Sequence, residues 1–319
     1  MTSHNASEKP KLVPAEQVER MANEGIAFEI MSKDEAARFL SSQGNYFKMA
    51  SYRKLYQKGR DGKGVERYSN LDFGHLVDLF EIDRQLQRTL LLMALDVESA
   101  AKVKLLSSVD AREGEDGYTI VRDHFESLPE RIRRGVEADI ARKASDAYCG
   151  EMVEKYSDCM PAWVFLELVT FGEFNSFYLF CSKRWGDRRM EREHYYLKRS
   201  KSVRNAAAHG LCIVNGFTSG KGATPRTPPE VAAALAEYGV RDRMRRRGLS
   251  VERLQQIAVL CYAFQTMTDE GVRYPGTVKA LNALRVRMRL NNSYYAKNTA
   301  ILSSFEFLDR ILTFATKRP

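Results

Sequence analysis

Histidine and cysteine are scarce in this chain: 319 residues contain five of each, with two tryptophans and nine prolines. The cysteines, at 149, 159, 181, 212 and 261, form no C-x-x-C pair and have no close histidine partner. That argues against a disulfide framework or a structural zinc site, and the five read as reduced core thiols. Long apolar runs are missing too. Leu90-Leu91-Leu92-Met93-Ala94-Leu95, in the middle of the chain, is six residues long, far short of the roughly 20 that a bilayer helix needs. The opening MTSHNASEKPK is polar and has no apolar h-region, so no secretory signal is visible and a cytoplasmic address is expected.

Acidic charge is depleted in one region. From Arg241 to the end there are 15 Lys or Arg and 6 Asp or Glu, so the last 79 residues carry the whole net charge of +9 and the first 240 sum to zero. Such asymmetry points to a polyanionic partner, nucleic acid first, with an ordinary solvated surface as the alternative. With 44% hydrophobic and 10% aromatic residues, the chain has ample material for a packed core and too much for disorder.

Period-3.6 spacing dominates, and alternating strand patterns are rare, which predicts an all-α protein. Pro14 suits the first position of a helix to about Asn23, and Ser32-Lys33-Asp34-Glu35 has capping-box spacing. The tip Gly59-Arg60-Asp61-Gly62-Lys63-Gly64 is placed to join two short strands. From Asn70 to about Val109, apolar residues recur at three- and four-residue steps, predicting one long bundle helix. Asp110 to Ser127 reads as a charged break, and Arg131 to Lys155 resumes the pattern weakly. Pro161 then opens an aromatic helix followed by a second aromatic stretch to Cys181, both read as core. A Gly/Pro/Ser/Thr-rich stretch at 216–230 marks a loop or boundary. Further helices are expected at 231–246, 250–268, 277–290 and 299–316. The expected units are an N-terminal helical unit at 1–69, a core at 70–215 and a basic C-terminal helical region at 216–319.

One of the few histidines, His209, closes Val203-Arg204-Asn205-Ala206-Ala207-Ala208-His209. Arg189 and His194 repeat the Arg-to-His spacing, but there Met190 follows the arginine, whereas Arg204 is followed by the polar Asn205. On a helix, Asn205 and His209 share a face at i and i+4, and the long Arg204 side chain reaches it from the adjoining turn. The three alanines keep that surface low enough for a close approach by another backbone. The same spacing also describes a helix whose alanines simply pack against a neighbour. With no metal-ligand cluster nearby, the chemistry open to Arg, Asn and His is proton transfer and stabilisation of phosphate charge. That suits attack by a ribose 2′-hydroxyl on the adjacent phosphorus, and neither metal nor cofactor is expected.

Five stretches, in order, carry a resemblance to a known family: Lys9-Pro10-Lys11-Leu12 with Gly44-Asn45-Tyr46-Phe47; Leu79-Phe80-Glu81-Ile82-Asp83-Arg84-Gln85-Leu86; Pro161-Ala162-Trp163; Phe171-Gly172; and Val203 to His209 with Asn215. Over most of the chain up to about residue 215 it resembles the Abi-like abortive-infection phage-resistance family, AbiD and AbiF types, within the HEPN superfamily. The resemblance implies a HEPN-like helical bundle over 70–215 and a metal-independent ribonuclease site shared by two HEPN units. His209 would then act as general acid/base, Arg204 on the scissile phosphate, and Asn205 in orienting either. It also implies a homodimer, a toxin-like role restrained in healthy cells, and an associated small noncoding RNA. Gly210 stands where the family usually has a second histidine.

Lys183 to Arg204 contains nine basic and three acidic residues, and Arg241 to Arg247 adds a second basic cluster. Lys198, Arg199, Lys201, Arg245, Arg246 and Arg247 are the candidate RNA contacts, a phosphate-backbone track being weighed against a solvated face. Asp83 and Glu98 project from the long helix and are candidates to orient a motif residue, with solvent exposure or an ordinary ion pair as the alternative. Tyr195, Tyr196, Tyr294 and Tyr295 receive no role, and His75, His124 and His194 are expected to do nothing chemical. A noncatalytic binder of structured RNA is the alternative function. A helical interaction module built on the aromatic segment from Trp163 to Phe180 is a third.

Overall fold

The computed structural model describes residues 11–60, 62, 64–217, 226–268 and 273–317. Part of the Gly59–Gly64 tip, the centre of the 216–230 loop and the Lys9-Pro10 dipeptide lie outside the described residues. The fold is all-α: the described residues form fifteen α-helices and one short β-hairpin. None of these helices is long and apolar enough to cross a membrane.

Local chemistry sets the first elements. Helix α1 (Pro14–Asn23) starts on its proline, and α2 (Lys33–Ser42) on Ser32, whose hydroxyl accepts the Glu35 N–H while the Glu35 carboxylate accepts the Ser32 N–H. After α3 (Tyr46–Tyr52), strands β1 (Lys58–Arg60) and β2 (Glu66–Tyr68) pair antiparallel, with Gly59 opposite Arg67.

Helix α4 (Phe73–Asp110) is the organiser, 38 residues and about 57 Å long. Its N-cap Asp72 accepts the Gly74 N–H with one carboxylate oxygen and the Glu29 N–H with the other, tying the N-terminal helices to the bundle. Gly74 is required there, because a Cβ would fall 2.5 Å from the Ile30 side chain. Along α4, Leu76, Leu79, Leu86, Leu90, Met93, Val97, Ala101 and Leu105 are fully buried.

Around it lie α5 (Thr119–Ser127), α6 (Glu130–Ala141), α7 (Gly150–Tyr156), α8 (Ala162–Leu168), α9 (Phe171–Arg184) and α10 (Arg188–Ala208). Two expectations need correction. The stretch 110–127 is not merely a break: α5 forms within it, and Ile120, Val121 and His124 are buried. The helix expected at 231–246 is two, α11 (Pro229–Glu237) and α12 (Asp242–Leu249), separated at Gly239, whose φ of 89° terminates the first.

Helices α13 (Glu252–Met267), α14 (Arg273–Leu290) and α15 (Thr299–Thr316) complete the chain. Both α13 and α14 pack directly on α4, and α13 also packs on α10, so the basic C-terminal helices share the core of the central ones. Buried polar bonds fasten α14 and the residues after it to α4. The Arg287 guanidinium is 2.6 Å from Asp78, the Asn291 amide donates to the same carboxylate at 2.7 Å, and the Tyr295 hydroxyl also donates to it.

The aromatic stretch is core. Phe165, Phe171, Phe174, Phe177 and Tyr178 are all buried, while Trp163, at the start of the segment of the interaction-module reading, is 44% exposed. Of the cysteines, Cys181 and Cys261 are core thiols, but Cys159 is exposed and Cys149 and Cys212 are half-buried, so the core reading holds for two.

Candidate active site

Helix α10 opens on Asp187, whose carboxylate accepts the N–H groups of Arg189 and Met190, and it stops by a left-handed turn. Gly210 has φ of 62°, the Leu211 N–H reaches back to the Ala206 carbonyl at 2.9 Å, and the Gly210 N–H reaches that of Ala207 at 3.0 Å. Gly210 is therefore the residue that turns the chain off the helix, and His209 is the last residue before the turn.

Immediately beyond, the backbone is clamped to α4. Fully buried Asp83 accepts the N–H groups of Ile213 and Val214, each at 3.0 Å, the Tyr52 hydroxyl at 2.8 Å and the Gln87 amide at 3.0 Å. Gln87 also donates to the Leu211 carbonyl at 2.9 Å. Burial raises the Asp83 carboxyl above its ordinary range, opposed by these donors. Asp83 touches no motif side chain; it fixes the segment that leaves the motif.

Arg204 is held from several sides. Its Nη1 donates to the Asn205 side-chain oxygen at 3.0 Å, its Nη2 lies 3.7 Å from the Glu98 carboxylate, and its guanidinium stands 5.8 Å from the Phe171 ring centroid. Glu98, only 8% exposed, is also 3.7 Å from Lys102. Of the two acidic residues considered on α4, Glu98 is thus the one that reaches the motif. A solvent-exposed position is excluded for both. Sequence spacing has no signal for Phe171.

His209 differs from Arg204. It is exposed, and its imidazole makes no hydrogen bond or ion pair among the described residues. Within one chain, Arg204 and Asn205 are bonded to each other and His209 to neither. Along α10, Tyr195, Lys198, Ser202, Asn205 and His209 follow at three- and four-residue steps; all but half-buried Asn205 are exposed. Arg199 and Lys201 are half-buried, Lys201 lying beside Gly172 at the start of α9.

Among the described residues, the remaining histidines sit in packing environments. The His124 ring contacts those of Phe125, Phe165, Phe177 and Phe180, and burial lowers its pKa from 6.5 to about 4. His194 bonds the Asn175 carbonyl at 3.0 Å, and His75 stacks on Tyr56.

On α12, the arginines divide. Arg245 donates to the Val240 carbonyl and to Asp242, and Arg246 pairs with Asp242, so both have partners next to the start of their own helix. Arg247 is exposed, as are Arg241 and Arg243, and none of these three makes an ion pair among the described residues. They line a cleft of about 460 Å³ over Phe217, Met244 and Phe307. Arg241 and Arg243 were legible as part of the basic cluster, but their lack of an ion pair among the described residues was not.

Fold and site together define a class: an all-α protein that presents a guanidinium, an amide and an imidazole at the end of one helix. The family model described as Abi-like protein matches residues 38–215, more than half of the chain, and the chain belongs to this Abi-like family. The family points to abortive-infection defence against phage. No curated protein and no solved structure matches the chain.

Proposed function

We propose that this protein is a metal-independent RNA endonuclease, the toxin-like effector of an abortive-infection phage-defence system. The observation that carries the reading is the unequal treatment of two residues of one motif. Arg204 is fixed by Glu98, Asn205 and Phe171, while His209 stands exposed without a partner at the helix end. A fixed cation suits the charge of a phosphate, and a free imidazole suits a proton that must be moved.

In the proposed reaction, neutral His209 takes the proton of a ribose 2′-hydroxyl. The 2′-oxygen attacks the adjacent phosphorus while the bond to the 5′-oxygen breaks, and an imidazolium protonates that leaving oxygen. The products are a 2′,3′-cyclic phosphate and a 5′-hydroxyl. Arg204 stabilises the charge on the non-bridging oxygens, and Asn205, whose side-chain oxygen is taken by Arg204, offers its amide N–H groups for positioning. One imidazole per motif, with no hydrogen bond to the Arg204 guanidinium among the described residues, supports a site completed by a second copy of the motif, hence a homodimer. Lys198, Arg199 and Lys201 on α10 and Arg247 on α12 are the RNA contacts of this reading, with Arg245 and Arg246 beside them. A small noncoding RNA is the proposed regulator, and the cytoplasm the proposed site of action.

The test is cleavage of single-stranded RNA by the purified chain in EDTA, with the product ends mapped. Metal-independent cutting that leaves 2′,3′-cyclic phosphates supports the reading. RNA that is bound tightly but never cut favours instead a noncatalytic binder of structured RNA.

A further inference from the structure

The charge on α12 is not balanced within its own helix. Asp242, the one acid of the basic cluster, is taken by Arg245 and Arg246. Arg241, Arg243 and Arg247 are exposed and make no ion pair among the described residues. Arg243 and Arg247 are four residues apart, on one face of the helix, where like charges repel, and Arg241 stands at its N-cap. Three guanidinium groups gathered without a carboxylate of their own favour an anion among them.

These arginines line a cleft, not open surface. Its volume of about 460 Å³ falls in the range of small-ligand sites. Half-buried Met244, Val251 and Ala300 line it, above the buried rings of Phe217 and Phe307. Gly248 lets α12 lie directly on α15, since a Cβ there would fall 2.3 Å from the Phe307 ring. From α15 the cleft also receives Glu306, exposed and likewise without an ion pair among the described residues. One cleft is thus lined by three guanidinium groups and a carboxylate that do not pair with one another.

A ligand that satisfies this lining needs an anionic group for the arginines, a flat apolar body for the floor, and hydroxyl donors for the carboxylate. Inorganic phosphate has only the first, a sugar phosphate lacks the second, and a fatty acid lacks the third. A nucleotide carries all three. We infer that the cleft between α12 and α15 binds a mononucleotide, with its phosphate on Arg241, Arg243 and Arg247, its base over Met244 and its ribose hydroxyls donating to Glu306. The residues that line the cleft all lie beyond the 38–215 stretch matched by the family model. Both α12 and α15 pack on α13, which packs on α10, so the cleft stands one helix away from the helix that carries Arg204. The inference is independent of the ribonuclease reading; only Arg247 is shared with the RNA contacts proposed there.

The test is calorimetric titration of the full chain with AMP, GMP, CMP and UMP. At least one should bind with a Kd of roughly 10 μM to 1 mM. Its nucleoside, ribose 5-phosphate and inorganic phosphate each lack part of the match and should bind roughly 10-fold more weakly or worse. Arg243→Glu and Arg247→Glu should each weaken the nucleotide by roughly 10-fold or more. Lys279→Glu, the same change of charge at an exposed position of α14 outside the cleft, should not. The wild type should prefer the nucleotide to its 2′,3′-dideoxy analogue, and Glu306→Ala should abolish that preference. These side chains are exposed, so circular dichroism and melting should be unchanged by the substitutions. A single-stranded RNA that displaces the nucleotide only when it carries a terminal phosphate would make the natural ligand the end of an RNA chain; no displacement would make it a free nucleotide. If none of the four binds at millimolar concentration, the inference is overturned. Inorganic phosphate binding as well as the best nucleotide also overturns it, because the arginines would then be a general anion patch. Nucleotide binding by a chain that leaves RNA intact keeps the inference and removes the nuclease reading.

Discussion

Glu98 and Arg204 come from helices far apart in sequence, yet the carboxylate of one stands 3.7 Å from the guanidinium of the other, with Lys102 at 3.7 Å on its other oxygen. The Glu98 oxygen that faces Arg204 is buried and accepts no hydrogen bond. A buried carboxylate oxygen that faces a guanidinium restrains where that cation can go.

Glu98→Gln removes that charge while keeping the shape of the side chain. Cleavage should fall in kcat by roughly 10-fold with KM little changed, less than the 10²-fold or more expected for loss of Arg204 itself. Arg204→Lys should not rescue activity, because an ammonium cannot reproduce the planar fork that bonds Asn205 and faces Glu98. Steady-state kinetics on a short RNA checks both; a Glu98→Gln enzyme at full kcat would remove Glu98 from any positioning role.

Asp83 is the hub that fixes the chain beyond the motif. In Asp83→Asn, an amide N–H group replaces an acceptor oxygen and faces the donors of Ile213, Val214, Tyr52 or Gln87. A loss of about 2–4 kcal/mol in urea unfolding is expected. Tyr52→Phe removes one donor only and should cost about 1 kcal/mol.

His124 gives the fold an acid limit. Its folded pKa of about 4 lies below the ordinary 6.5. The unfolded chain therefore binds a proton that the folded chain refuses, and stability is lost as pH falls from 6.5 towards 4. The loss from this residue should be on the order of 3 kcal/mol. His124→Phe, placed among the rings of Phe125, Phe165, Phe177 and Phe180, should flatten the melting temperature over that range. An unchanged pH profile in the variant would assign the acid sensitivity elsewhere.

Gly210, the position at which the resemblance implies a second histidine, has a structural role here: it is the left-handed residue that ends α10. Gly210→His should fold at a cost of about 1 kcal/mol, since histidine tolerates this region better than most residues. Its side chain would start near Lys48 and Gln87, 3.9 and 4.0 Å from the new Cβ. Gly210→Val, β-branched at a positive φ, should cost more. Thermal melts of the two variants test the ordering.

Much of this was legible before any coordinates. Pro14, Ser32 and Pro161 mark helix starts because capping is local, and the length of α4 follows from a hydrophobic period sustained over ten turns. What was missed depends on tertiary context. Helix α5 is nine residues with no side-chain cap, and three buried side chains hold it in a stretch that reads as charged. The break at Gly239 lies inside a pattern that would otherwise continue. The spacing of Arg204, Asn205 and His209 was readable along one helix, and Glu98 was readable as a candidate. Its contact with Arg204, the nearby Phe171 ring and the Asp83 clamp are products of packing across the bundle. Composition showed a basic cluster on α12, but only the structure separates Arg245, which bonds the Val240 carbonyl and Asp242, from Arg241, Arg243 and Arg247, which make no ion pair among the described residues.

The most direct measurement is the rate at which His209→Ala cuts single-stranded RNA in EDTA, beside the wild type, with product ends mapped. Because His209 is exposed and makes no hydrogen bond or ion pair among the described residues, the substitution should leave the fold intact and lower the rate by roughly 10²-fold or more, with 2′,3′-cyclic phosphates on the wild-type products. Undiminished cutting by His209→Ala would contradict the proposed chemistry.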